Sequence, residues 1–466
     1  MTSATDPLRE AADRFPSEPA IVDANGVLTH HQLFAWASGA APQLGQRGLN
    51  PRDRLALVVE PSRHAIASLM GCFRSGVVAC PINSRLPGAA RNRLLEIAAC
   101  REVSTPEEWD SPQERPGAPA DSAHDVSADQ PAVIVFTSGS TGDPKAALLS
   151  LNNLHHNAVL SNRNIPVVPG DRWLLSLPLY HVSGLGILFR CLAGGGAVAL
   201  PGLGEAIEDA ILRLAVTHVS LVPTQLRRTL RTEQGVRALK RLKAILLGGG
   251  PIPGSLLDRA AAHGLPVCTT YGLTEMASQV ATSPLGQAPT STNRGAPPLE
   301  PGTVAISNDN EILVRGNSLF LGYARGSEIV RSLTPDGWFP TGDLGAFDDS
   351  GLLHVHGRRD NRFISGGENI HPEEIERELC RIDTVLDAVV VPVDDDEYGQ
   401  RPVAFLRTTE AEIPDLTTIA RTLAPHLPSF KIPDAVFPWP VDLAPPGIKP
   451  PRPALARRAA ELLAKS

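Results

Sequence analysis

The stretch AVIVFTSGSTGDPK, residues 132–145, decides the fold. Its first five residues are apolar and mostly β-branched or aromatic, the composition of a buried strand. The following nine, Thr137 to Lys145, are glycine, proline or polar residues and end on a lysine. Such a loop lets backbone amides and hydroxyls approach phosphate oxygens closely, and Lys145 adds a point charge. It is not a Walker A loop, which needs GxxxxGK followed by Ser or Thr; here the lysine follows Pro144 and precedes Ala146.

Downstream of this loop, short β-rich runs alternate with helical patterns. The runs are VSLV (219–222), AILL (244–247) and PVCTT (266–270). EAIEDAILRLA (205–215) has the i, i+3, i+4 apolar spacing of a helix, and helical patterns follow Thr224 and Gly254. This order predicts parallel-rich sheets covered by helices, an α/β fold. Val103 to Pro131, rich in Pro, Ser, Ala and acids, reads as a surface loop. A boundary falls near Gly357, after which Pro372 opens a helix with Ile375, Leu379 and Ile382 on one face and DAVVVPV (387–393) forms a strand. The expected organisation is a large N-terminal domain over 1–356, a hinge over 357–361 and a small mobile α+β domain over 362–466.

Composition sets the outer limits. With 466 residues the chain has room for two or three domains, and its 40 glycines and 43 prolines stay below the level of disordered chains. Six scattered cysteines without a CxxC pair argue against a disulfide framework or a zinc site and for reduced thiols in a cytoplasmic protein. A net charge of −7 excludes a generally basic nucleic-acid coat. The N-terminus has no apolar signal-peptide core, and the most apolar stretch, Leu185 to Leu200, is too short to cross a bilayer. Nothing in the sequence sets the oligomeric state, and a homo-oligomer stays open. Of 43 basic residues only six are lysines, among them Lys145 and Lys449. A chain so biased to arginine keeps lysine where a compact ammonium is needed.

The phosphate-type loop resembles that of the adenylate-forming superfamily, which includes acyl-CoA synthetases, peptide-synthetase adenylation domains and luciferases. YGLTE (271–275), PTGDLG (340–345), GRRDNRFISGGENIHPEEIE (357–376) and the late lysine of PPGIKPPRPAL follow in that family's order. The resemblance implies ATP, Mg²⁺ and coenzyme A as cofactor and co-substrates. It implies nucleotide contacts by Thr137, Ser138, Gly139, Ser140, Thr141, Gly142 and Lys145, and a glycine segment, Gly248, Gly249 and Gly250, along the adenine. Tyr271 would stack on that ring, Gly272 would lie beside it, Thr274 would bond a phosphate, and Glu275 would offer Mg²⁺ a hard oxygen. Asp343 and Arg358 would take the ribose, Asp360 would be the pivot, and Gly366 and Gly367 would admit a pantetheine arm. Lys449, in GIKPPR where the family more often has GKVxR, would bridge the substrate carboxylate and the α-phosphate, where negative charge builds up. His181 would line the acyl pocket and gate the thiol tunnel.

Finer strings resemble one subgroup, the acid–CoA ligases acting on o-succinylbenzoate: WLLSLPLYHVSGLGILFR (173–190), HVSLVPTQL (218–226), LKAILLGGGPIP (242–253), SGGEN and the GIK motif. That resemblance implies 2-succinylbenzoate as the acid, in menaquinone biosynthesis, with Ser278 among the substrate contacts. An independent feature agrees. If 183–192 is helical, Ser183, Ile187 and Arg190 share one face beyond His181, and a guanidinium in an apolar run needs an anionic partner. Succinylbenzoate has a second carboxylate to be held; pairing of Arg190 with a protein acid is the competing explanation. Other outcomes remain: a CoA ligase for another aryl or medium-chain acid, or an adenylation enzyme loading a separate carrier protein. The 17 residues after Lys449 leave no room for a fused carrier. A kinase or ATPase would release ADP and lacks its Walker sequence here; a non-catalytic relative would be expected to lose Lys449 or Glu275.

Overall fold

The computed structural model describes residues 6–105, 108, 127–138, 144–382, 384–409, 412–443 and 451–464. AVIVF lies in the strand Pro131–Ser138, whose Ala132, Val133, Ile134 and Val135 are buried. This strand pairs antiparallel with Pro144–Ser150 and parallel with Val78–Asn83 in a seven-stranded sheet. Thr137 faces Lys145 across the pair, so residues 139–143 form the connection. Gly139, Ser140, Thr141 and Gly142 fall there, outside the described residues.

A second, eight-stranded sheet holds the remaining expected strands as His218–Leu221, Ala244–Leu247 and Val267–Leu273, side by side and parallel. Antiparallel partners close both edges: Ser278–Thr282 beside Val267–Leu273, and Gly26–Thr29 beside Pro19–Asp23. Strands buried on both faces need helices over them, and the alternating sequence supplies those helices. A four-stranded antiparallel sheet (Val304–Ile306, Glu311–Val314, Phe339–Phe347, Leu353–Arg358) follows, then a short hairpin and a three-stranded sheet. The mixed α/β expectation and the parallel-rich sheets both hold.

Two local expectations are trimmed. The helix expected over 205–215 is Ile207–Arg213. Glu205 turns back to accept Gly202 N–H and the Arg213 guanidinium, and Ala215 adopts φ of 48°, ending the helix. The expected loop from Val103 begins inside an edge strand, Glu102–Ser104, and 109–126 lie outside the described residues. By contrast, Val182–Gly194 is a helix as read, stopped by Gly195 at φ of 72°, where a side chain would be strained and would strike Phe15.

The buried apolar clusters separate along the chain. Three contain only residues up to Leu353; the other two, built on Ile375, Val390, Phe405 and Leu455, begin at Phe363. Among the described residues no helix is long and apolar enough to cross a membrane.

Candidate active site

The strand ends of the two large sheets carry several of the residues expected to meet the nucleotide. Lys145 opens Pro144–Ser150, and its ammonium lies 5.3 Å from the centre of the Tyr323 ring. Tyr323, on the neighbouring strand Gly322–Arg325, donates its hydroxyl to Glu275 Oε1. Burial and the Glu275 carboxylate both push the Tyr323 phenol up, so it stays a donor. Glu275 itself sits in the short turn Thr274–Met276, pinned where its carbonyl accepts Phe320 N–H at 2.8 Å. One ring thus gathers the loop lysine and the carboxylate expected to hold Mg²⁺. Tyr323 carried no local signal in the sequence.

Gly272 is forced by geometry: a Cβ there would stand 1.9 Å from the Ser278 carbonyl oxygen on the adjoining strand. Beside it, Tyr271 donates to Asp343 Oδ2 at 2.7 Å. Asp343 and Arg358 face each other across the hairpin Phe339–Phe347/Leu353–Arg358, and Arg358 Nη1 donates to Asp343 Oδ1 at 2.9 Å and to the Thr341 carbonyl at 3.1 Å. The Tyr271 phenol is pushed well up by burial and by the Asp343 charge. Tyr271, Asp343 and Arg358, 87 residues apart at their extremes, therefore form one hydrogen-bonded group. Of the glycine segment, Gly248 is packed against Thr270, Gly249 has φ of 82° and Gly250 faces open space.

The acyl-side residues line the helix Val182–Gly194. His181 precedes it and meets the Tyr180 ring edge-on at 4.7 Å; Ser183, its second residue, is half-buried. Arg190 is 1% exposed. Its Nη2 donates to Ser278 Oγ at 3.3 Å, and its guanidinium lies 5.0 Å from the centre of the Trp173 ring. With the Gln279 amide oriented by its partners, the Gln279 oxygen accepts from Arg190 Nη2 at 2.9 Å and Nε at 3.2 Å. Among the described residues Nη1 is buried with no hydrogen-bond partner and no carboxylate pairs with Arg190. Burial draws the guanidinium down to about 10. Among the described residues, then, no protein acid answers Arg190. Gly186 makes room for it: a Cβ there would stand 2.9 Å from Nη2. Trp173, Gly186 and Gln279 escaped the sequence reading, although Gly186 lies one helical turn before Arg190, where its side chain must point.

Asp360 sits exposed in the turn Arg359–Asn361, with its carboxylate 3.9 Å from Arg358 Nη2. On its two sides, Arg359 pairs with buried Glu311 at 2.6 Å and Asn361 donates to Glu373 at 2.5 Å. Gly366 and Gly367, at φ of 56° and 84°, turn the hairpin Phe363–Ser365/Glu368–Ile370; Gly366 packs against Tyr398. Lys449 lies in 444–450, outside the described residues. Three residues on, Arg452 is buried and bonded to both Glu376 oxygens, at 2.6 and 2.9 Å.

Comparison with known proteins adds the following. The profile of the AMP-binding enzyme family matches residues 8–324. A 2-succinylbenzoate–CoA ligase of Bacillus licheniformis is 33% identical over 456 residues, 92% of this chain and 94% of that one. An o-succinylbenzoate CoA synthetase of Bacillus subtilis, in complex with the acyl-adenylate intermediate OSB-AMP, superposes with a TM-score of 0.81 at 29% identity, covering 98% of both chains. The same enzyme with ATP and magnesium ion gives 0.79 at 28% identity over 96% of this chain and 97% of that one. A double mutant of it with the product analogue OSB-NCoA gives 0.67 at 29% identity over 98% and 99%. The arrangement found here is thus nearer that of the acyl-adenylate complex.

Proposed function

The chain belongs to the AMP-binding enzyme family, and on that premise we propose that it is an AMP-forming ligase joining 2-succinylbenzoate to coenzyme A, the thioester-forming step of menaquinone biosynthesis. A carboxylate oxygen of the acid attacks the α-phosphorus of ATP; an acyl–O–P bond forms and pyrophosphate leaves. The thiol of coenzyme A then attacks the acyl carbon, a C–S bond forms and AMP leaves with the C–O electron pair.

This chain's residues divide that work. Lys145 and the loop it closes would hold the phosphates, and Tyr323 fixes Glu275 beside them. Among the described residues no group of three or more His, Cys, Asp or Glu could cage a metal. One carboxylate with the substrate phosphates is how Mg²⁺ is usually held, so Glu275 fits that ion. Bound there, Mg²⁺ would screen the phosphate charge. Asp343, oriented by Tyr271 and Arg358, would accept the ribose hydroxyls. Lys449 would neutralise charge building at the α-phosphate in the first half-reaction. The separation of the apolar clusters supports a large unit over 1–356 and a small one over 362–466, pivoting near Asp360. The use of ATP and coenzyme A as substrates supports a cytoplasmic reaction.

One observation carries the choice of acid: Arg190 is buried and charged, and among the described residues no carboxylate meets it. A desolvated guanidinium is costly unless an anion meets it. A dicarboxylic acid brings that anion on its non-reacting end. A panel of acids tests this, followed by pyrophosphate release with ATP alone. Turnover should be high with 2-succinylbenzoate and low with benzoate, 4-phenylbutyrate and medium-chain fatty acids; equal use of the monocarboxylates would contradict it.

A further inference from the structure

The helix Pro372–Leu379 packs against the start of the hinge at its first turn and is met beyond its far end by residues from the large unit. In its first turn, buried Glu373 lies so close to Gly357 that a Cβ on that glycine would stand 2.6 Å from Oε2. At its far end, the carbonyl of the capping residue Cys380 accepts the Ser255 hydroxyl at 3.3 Å. Five residues on, the carbonyl of Val385 accepts Arg227 Nη1 at 3.1 Å. The Ser255 hydroxyl thus meets the helix C-terminus, where carbonyls lack intrahelical partners, and Arg227 meets the first residue of the strand Val385–Asp395.

Both donors are well placed to hold. Arg227 lies in the last turn of Pro223–Thr229, the helix directly following the strand His218–Leu221. Ser255 lies in the first turn of Gly254–Ala262, after Ala244–Leu247 and the triple glycine. Both therefore hang from the sheet that carries Tyr271. Both bond main-chain carbonyls, and Arg227 also meets the Cys380 side chain, so the contact depends on where the small unit stands. This grip occurs in an arrangement nearer the acyl-adenylate complex than the product-analogue complex.

We propose that Arg227 and Ser255 form a latch for the adenylate-forming orientation. They are positioning residues: they touch no substrate, and they hold the small unit where its lysine serves the first half-reaction. The latch rests on the ligase reading above and adds to it a contact that must break before thioester formation.

The test uses Arg227→Ala, Ser255→Ala and the double variant, with each half-reaction measured alone. Acyl-adenylate formation is followed by pyrophosphate release without coenzyme A, and thioester formation from supplied 2-succinylbenzoyl-AMP and coenzyme A. The double variant should slow the first about thirtyfold, the low end of what losing one charge-assisted and one neutral hydrogen bond implies. The second should be unchanged or faster, and Arg227→Lys should recover part of the loss. A readout independent of the acid is the rate of proteolytic nicking at 357–361 in the unliganded protein, expected to rise about fivefold in the double variant by mass action on the unlatched state. Equal loss in both half-reactions, or an unchanged nicking rate, overturns the latch. If the wild type makes no acyl-adenylate from 2-succinylbenzoate, the substrate reading falls and the nicking rate alone decides the latch.

Discussion

Replacing Arg190 by alanine separates a substrate-holding role from a structural one. In the folded protein its guanidinium is shared between the Trp173 face, Ser278 Oγ and the Gln279 amide oxygen, leaving Nη1 unused. Breaking one partner of a buried charge pair costs roughly 3–5 kcal/mol, and a water-bridged contact about 1–3 kcal/mol. At about 1.4 kcal/mol per decade, kcat/KM for 2-succinylbenzoate should fall between about tenfold and a thousandfold. Because Nη1 has no protein partner to fall back on, the upper half of that range is expected. Arg190→Lys should recover only part, since the planar fork that meets Ser278 and Gln279 together is lost. The variant also removes both Arg190 bonds to the Gln279 oxygen, which keeps the Ser161 hydroxyl as donor at 2.7 Å, so a urea midpoint accompanies the kinetics. The assay compares 2-succinylbenzoate with an analogue lacking its second carboxylate. The wild type should use the analogue poorly, and Arg190→Ala should lose little further rate on it, because the two changes remove one interaction. An equal fall on both substrates would refute the reasoning and make Arg190 a packing residue.

Three further outcomes are expected. Lys449→Ala should reduce acyl-adenylate formation by orders of magnitude while transfer from supplied acyl-adenylate survives, since the charge it meets develops in one half-reaction only; single-turnover quenching of each half checks this. Asp360→Pro fixes φ near −65° at the proposed pivot, so adenylation should persist and thioester formation should fall, read from the same two half-reactions. His30, buried beside Phe15, is pushed by desolvation from 6.5 down to about 4. Its folded form resists protonation, so stability is full above about pH 6.5 and is lost as pH falls toward 4, by about 2 kcal/mol at pH 5. Burial also lowers His155 and His218, in the same direction. Urea midpoints at pH 7.5 and 5.0 should show a smaller difference in His30→Leu than in the wild type.

The parts of this site legible in the sequence are those whose cause is local. The strand before Thr137 and the helical face that aligns Ser183 with Arg190 follow from periodicity within a dozen residues, and the turn that holds Glu275 came with its motif. The hairpin that sets Asp343 against Arg358 spans only 15 residues and came with its motif. What stayed hidden is made by sheet pairing over long separations. Tyr323 reaches Glu275 because Gly322–Arg325 adds itself to Pro144–Ser150, a pairing that no local pattern specifies. Gln279 and Trp173 meet Arg190 from strands in the eight-stranded sheet, and the Tyr271 hydroxyl finds Asp343 across two different sheets. The glycines divide in the same way. Gly249 and Gly366 announce turns, whereas Gly186 and Gly272 are small because a distant side chain or carbonyl occupies the space a Cβ would need.

The central claim is tested most directly by one reaction mixture: the purified protein with 2-succinylbenzoate, ATP, Mg²⁺ and coenzyme A, its products resolved by mass spectrometry. The account predicts 2-succinylbenzoyl-CoA, AMP and pyrophosphate in equal amounts, with AMP and pyrophosphate dependent on the acid. ADP in place of AMP, or AMP formed without any thioester, would contradict it.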